Sequence, residues 1–368
     1  MTTPIPLDTP ISELRLGVTT AMPQYKPFTY PWAEAAETMQ QNVHWLEREI
    51  PMGEDLKDWN AKEGRLTDSE KALLLNIQRL FTQSDIDVNN NYLDNFIPIF
   101  RNGEIRRMMT VFAAFETIHV RAYSHVIESL KLPPSTYHEF MEIEEMRAKH
   151  DHLISYQPKT LKELLLTVAI FSSFVEGLQL FASFAMLFNF QRFGLMKGLG
   201  QIVSWSIRDE TIHVEAMQAL YHTMLAESGH TPETLREELV ESVRVFVKME
   251  DAFIDKAFEF GESRGIDAAS TKRYIRYIAD WRLEQLGLEP IYNIEKNPFP
   301  WMNDQTGHEH ANFFETRPTE YSKGAQTGTW DEAWDSLEET QLAEEKLDPA
   351  ANIHAMRIEQ GIAEELLV

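Results

Sequence analysis

Cysteine is absent from all 368 residues. This excludes disulfides, thiolate zinc sites and a thiol nucleophile, and it fits a reducing compartment such as the cytoplasm. Basic residues are scarce beside acidic ones: 34 Lys and Arg against 58 Asp and Glu leave a formal net charge of −24. A chain so acidic argues against nucleic acid or an anionic membrane as partner, since both require clustered positive charge. No alternating apolar–polar run marks a strand, so the fold is expected to be all-α. The start, Met1-Thr-Thr-Pro-Ile-Pro, lacks the basic residues and apolar core of a signal peptide, and a cytoplasmic location is expected.

One long apolar run is present. Between Leu164 and Phe190 the only charged residue is Glu176. Its length suits a membrane span. Gln179, Asn189, Ser172, Ser173 and Ser183 interrupt it, however, and a helix apolar on every side also suits the centre of a large soluble bundle. The second reading is preferred.

The organisation follows from punctuation and period. Residues 1–30 are Pro-rich and are expected to run extended over the surface. Helical patterning starts near Pro31 and continues through Trp45. Long helices are expected over about 67–95, 101–130, 160–190, 192–225, 232–262 and 267–288, with breaks at Gly103, at Pro133-Pro134 and around Gly229. Thr67-Asp-Ser-Glu70 and Thr231-Pro-Glu233 read as helix starts. Residues 31–302 then form one helical body. From 303 to 368 polar residues take over, which predicts a mobile C-terminal tail. In it Trp330, Trp334 and Leu337 keep helical spacing, which fits either an amphipathic helix that forms upon a partner or an acidic linker with incidental tryptophans.

The most informative strings are Glu116-Thr-Ile-His119 and Glu210-Thr-Ile-His213. Residues i and i+3 lie one turn apart on one helix face, so each carboxylate–imidazole pair can reach one ion. A lone acid precedes each string, Asp85 by 31 residues and Glu176 by 34. Two such halves are the arrangement by which a four-helix bundle surrounds two metals. Glu176, alone in its apolar helix, would be costly to bury without a cation. Carboxylates and imidazoles without thiolates suit iron or manganese. Tyr123 lies one turn beyond His119 on the same face, close to the expected metals.

These residues resemble the small, radical-generating subunit of class I ribonucleotide reductase. The resemblance spans about residues 30–320 and is carried by Phe115–Tyr123, Val175–Leu180 and Ile207–His213. It implies a ferritin-like helical bundle with a buried di-metal site. Asp85, Glu116 and His119 would hold one metal, and Glu176, Glu210 and His213 the other. Asp85 is preferred to Asp87 because its separation from the first Glu-x-x-His string fits the family. The pair would be di-iron in the first place, with dimanganese or manganese–iron as alternatives. It would activate oxygen, and Tyr123 would carry the resulting tyrosyl radical. Phe184 suits the apolar surroundings of such a radical, whereas Leu180 and Ser206 stand where larger or more apolar residues are frequent.

The resemblance further implies that Trp45 relays electrons and that Asp209 links it to His119. Tyr321, with Glu315 before it, would pass the radical to the large catalytic subunit, which reduces ribonucleotides. The C-terminal tail would dock there, and the chain would form a homodimer. Rival readings are another ferritin-like oxygenase or desaturase, and a non-catalytic iron store or helical scaffold. Asp85, Tyr123 and Tyr321 together favour the reductase subunit.

Overall fold

The computed structural model describes residues 3–60, 65–153 and 155–302. Ten α-helices occur among them: α1 (Pro31–Asn42), α2 (Gly53–Asn60), α3 (Asp68–Asn91), α4 (Gly103–Ser129), α5 (Glu144–Leu153), α6 (Leu161–Ile170), α7 (Phe181–Phe188), α8 (Lys197–Ser228), α9 (Arg236–Ala257) and α10 (Ala268–Gln285). Short 3-10 and π-helical segments join them, and the β structure among the described residues is two isolated bridges. The all-α reading holds.

Local chemistry sets the starts of the central helices. At α3 the Thr67 hydroxyl accepts the Glu70 N–H at 3.2 Å, and the Glu70 carboxylate accepts the Thr67 N–H at 2.8 Å. Two otherwise orphaned donors are satisfied in this way. Asn102 caps α4 by accepting the N–H groups of Glu104 and Ile105. Helix α8 stops at Gly229, whose φ of 78° is open to glycine and strained for other residues.

The core is built where α3, α4, α6 and α8 pack on one another, with α7, α9 and α10 against them. The apolar stretch belongs here: the most apolar window of Leu161–Phe193 is 94% buried, which is the situation of a bundle core helix. The stretch is not the single helix expected over 160–190. It passes from α6 into a π-helical segment, Phe171–Gln179, before α7. A second π-helical segment, Tyr92–Phe96, extends α3. Wider turns of this kind re-aim side chains and recur at functional sites.

Three further differences from expectation have physical causes. Helix α1 ends at Asn42, so Trp45 lies in the turn behind it. Helices α2 and α5 were not expected, because sequences such as Glu144-Glu-Met-Arg-Ala-Lys-His carry little apolar period. Residues 3–30 are largely free of helix, yet Leu14, Leu16 and Val18 are buried in the core. Backbone bonds from Ile5 N–H to Ser228 C=O and from Ile11 N–H to Lys159 C=O, both 2.9 Å, strap this segment to α8 and α6. Residues 303–368, with Glu315, Tyr321, Trp330, Trp334 and Leu337, lie outside the described residues.

Candidate metal centre

Asp85 comes from α3, Glu116 and His119 from α4, Glu176 from the π segment Phe171–Gln179, and Glu210 and His213 from α8. None of the six is more than 1% exposed. Donor atoms of Glu116, Glu176, Glu210 and His213 lie within 4.8 Å of one another, and so do those of Asp85, Glu116 and His119. The structure thus brings together all six residues singled out above. It also shows what spacing alone does not, that Glu116 belongs to both groups. Its Oε1 lies 3.0 Å from His213 Nδ1 and its Oε2 lies 3.4 Å from His119 Nδ1. Glu210 likewise faces both rings, 3.2 Å from His119 Nδ1 and 3.8 Å from His213 Nδ1.

The donor atoms fit a pair of cations. Asp85 Oδ2, both oxygens of Glu116, His119 Nδ1, Glu176 Oε2, Glu210 Oε2 and both His213 nitrogens are buried without an aligned hydrogen bond. Each such atom costs about 1–3 kcal/mol or more, so a cluster of them needs a compensating ligand. Two ions would use these lone pairs, and the oxygen–nitrogen donor set suits iron or manganese.

The electrostatics carry the same message. Burial, then the neighbouring carboxylates, pushes Asp85, Glu176 and Glu210 above the usual carboxylate range. Burial also opposes the charge on His119, but contacts with Asp209, Glu116 and Glu210 outweigh it and raise its pKa. Glu116 and Asp209 are also penalised by burial, yet are held below the usual range by facing His119, with His213 adding to Glu116 and Arg208 to Asp209. The signs predict a pH profile for the metal-free chain. The three raised acids and His119 hold more protons folded than unfolded. Their contribution is therefore present below about pH 4 for the acids and about 6.5 for the histidine, and is lost as pH rises through the folded values. Glu116 and Asp209 act oppositely, and lose their contribution as pH falls below about 4. Metal-stripped protein should therefore melt at lower temperature near about pH 8 than near about pH 5, and Mn(II) should reverse the difference. Melting curves at both pH values, with and without metal, check this.

Around the centre, Trp45 Nε1–H donates to Asp209 Oδ2 at 2.7 Å, and the same oxygen is 3.2 Å from His119 Nε2. With Nε2 engaged, His119 keeps Nδ1 for a metal. Tyr123 is buried, its ring stacked on Phe81 at 4.5 Å, and Phe184 is also stacked on Phe81, at 5.4 Å. Its hydroxyl donates to Ser206 Oγ at 3.2 Å, so the small residue there is its hydrogen-bond partner. Burial, then the Asp85 charge, raises the phenol's pKa, and the group stays protonated. Asp87 is not in the cluster and pairs instead with His150 at 2.6 Å. Sequence reasoning passed over Tyr92, whose hydroxyl donates to Glu176 Oε1 at 2.8 Å. Its position two helical turns after Asp85 was the available signal.

Comparison with known proteins adds an independent line. Residues 23–298 match the family model described as ribonucleotide reductase, small chain. A probable ribonucleoside-diphosphate reductase small subunit of Invertebrate iridescent virus 3 is 40% identical over 326 residues, which are 83% of this chain and 86% of that one. The ribonucleoside-diphosphate reductase subunit beta of Chlamydia pneumoniae is 29% identical, over 81% of this chain and 89% of its own. Among solved structures, a putative class I ribonucleotide reductase from Bacillus halodurans superposes with a TM-score of 0.67 at 23% identity, covering 75% of this chain and 99% of that one. The dimanganese(II)-NrdF of Streptococcus sanguinis superposes with a TM-score of 0.61 at 16% identity, covering 74% and 94%. At these identities the structural likeness speaks for the ferritin-like fold alone.

Proposed function

This chain belongs to the ribonucleotide reductase small-chain family, and from that premise we propose that it works as the radical-generating subunit through Tyr123. The large catalytic subunit would be its partner, and ribonucleoside diphosphates the substrates of the assembly. The observation that carries the reading is the convergence of unpartnered carboxylate and imidazole atoms from four elements, with Tyr123 one turn beyond His119. Asp85, Glu116, His119, Glu176, Glu210 and His213 would hold two metal ions, iron in the first place, with manganese served by the same donors. When bound, the pair supplies redox chemistry with oxygen that ends in one-electron oxidation of a nearby phenol.

The chain's own residues perform the remaining tasks. Phe81, Phe184 and the surrounding core keep water from Tyr123, which lengthens the life of an oxidised phenol. Ser206 Oγ accepts a hydrogen bond from its hydroxyl in the resting state. Asp209 holds the Trp45 indole and the His119 ring on one carboxylate oxygen, a continuous path from the cluster to the turn behind α1. Tyr321 would continue that path in the tail, and the C-terminus would dock on the large subunit. The chain would pair as a homodimer, a reading supported by Ile86 and Leu93, seven residues apart along α3 and its extension, which stand 38% and 48% exposed.

Asp209→Asn tests the path. The amide keeps the shape but loses the negative charge facing His119, and its NH2 replaces an acceptor either at the two rings or at the Arg208 guanidinium. Turnover with the large subunit should therefore fall by about 10–100-fold while the fold is retained. Unchanged turnover would remove Asp209 from the route.

A further inference from the structure

Tyr92 is a fully buried phenol whose hydroxyl donates to Glu176 Oε1 at 2.8 Å. Glu176 Oε2 has no hydrogen-bond partner. The two oxygens of this carboxylate are therefore inequivalent. We propose that Tyr92 is a positioning residue that occupies one oxygen of Glu176 and leaves Oε2 as its only donor to a metal. The inference rests on the metal-centre reading and deepens it, because it fixes how one acid binds.

Three further observations support the assignment. The Tyr92 ring cannot swing away, since Phe96, Phe112 and Phe171 meet it at roughly right angles, with centroids about 6 Å distant. The backbone next to Glu176 is also held. Arg282, itself fully buried, donates through Nε to the carbonyl of Gly177 at 2.8 Å, in the π segment where regular helix bonding is disturbed. A Cβ at position 177 would lie 2.7 Å from that same Nε, so the guanidinium reaches the backbone because residue 177 is glycine. Glu176 is thus held at its carboxylate by Tyr92, and the next residue's carbonyl is held by Arg282.

The contrast with the other acids sharpens the point. Glu116 has both oxygens unpartnered and faces both imidazoles, as a carboxylate shared between two ions would. Among the described residues Asp85 accepts a hydrogen bond from the hydroxyl of the adjacent Ser84, at 3.2 Å and from its own helix. Glu176, by contrast, receives a rigid phenol donor from another element. Carboxylates bind metals through one or both oxygens, and a rigid donor that takes one lone pair of Oε1, itself 4.0 Å from His213 Nδ1, disfavours the chelating mode. The ion on the Glu176 side would then hold one protein oxygen fewer and keep a coordination position for water or an exogenous ligand.

The test is crystallographic and spectroscopic, with Mn(II) alone as probe. Full-length wild type, Tyr92→Phe and, as a buried-phenol control, Tyr123→Phe are loaded with Mn(II), and melting curves verify that each is folded. In the wild type and in Tyr123→Phe, Glu176 should bind Mn(II) through Oε2 only, with Tyr92 still on Oε1. In Tyr92→Phe, both oxygens should reach the metal, and the electron paramagnetic resonance spectrum of the bound Mn(II) should change shape. Chelation by Glu176 in the wild type, or one-oxygen binding retained in Tyr92→Phe, overturns the proposal while leaving the metal centre standing. Failure of the wild type to take up Mn(II) at the cluster overturns the metal-centre reading itself.

Discussion

Replacing Glu116 with alanine should weaken binding at both metal positions, whereas Glu176→Ala should weaken it at only one. The difference follows from position. Glu116 is common to the two donor groups, and its two oxygens lie near different imidazoles, at 3.0 Å from His213 Nδ1 and 3.4 Å from His119 Nδ1. Without it, Asp85 and His119 remain as a two-donor fragment, and the opposite group loses one of its four members. Two neighbouring dications also repel each other, and a shared carboxylate between them offsets that repulsion. Glu176 belongs to one group only, so its loss leaves Asp85, Glu116 and His119 together. Metal analysis after loading with Fe(II) or Mn(II) and desalting reads the outcome directly. Retention of two ions by Glu116→Ala would show that the shared position is not what holds the pair.

Tyr123→Phe should keep both metals and the fold, and reduce nucleotide reduction with the large subunit to background. The phenyl ring preserves the stack on Phe81, so packing is little changed. The lost hydrogen bond to Ser206 costs about 1 kcal/mol, a small part of a domain's stability. What disappears is the oxidisable O–H, and no other side chain on α4 takes its place one turn from His119. A collapse of turnover combined with normal metal content and an unshifted melt therefore separates a redox role from a structural one. Turnover near the wild-type level would remove Tyr123 from the reaction.

Much of this architecture was readable in the amino-acid order, for identifiable reasons. The Glu116–His119 and Glu210–His213 pairs follow from helix geometry alone, since three residues make nearly one turn. The solitary charge of Glu176 within an apolar run announced a buried acid with a partner. Other features depend on how distant segments meet. That Glu116 serves both groups is a consequence of the approach of α4 to α8, which local spacing does not encode. Trp45 was expected within a helix, yet its indole reaches Asp209 because the chain turns after Asn42. The conversion of Tyr92–Phe96 and Phe171–Gln179 to π-helix left no compositional trace, although it shapes the surroundings of Glu176. The burial of Leu14, Leu16 and Val18 was masked by the prolines around them. Tyr321 lies outside the described residues, and its place rests on the family resemblance.

The most direct test of the central claim is an electron paramagnetic resonance spectrum of the full-length chain, loaded anaerobically with Fe(II) and then exposed to air. The account predicts two irons per chain and a tyrosyl radical signal that narrows when the protein carries ring-deuterated tyrosine and is absent from Tyr123→Phe. Two bound, oxidised irons with no tyrosyl signal would contradict it.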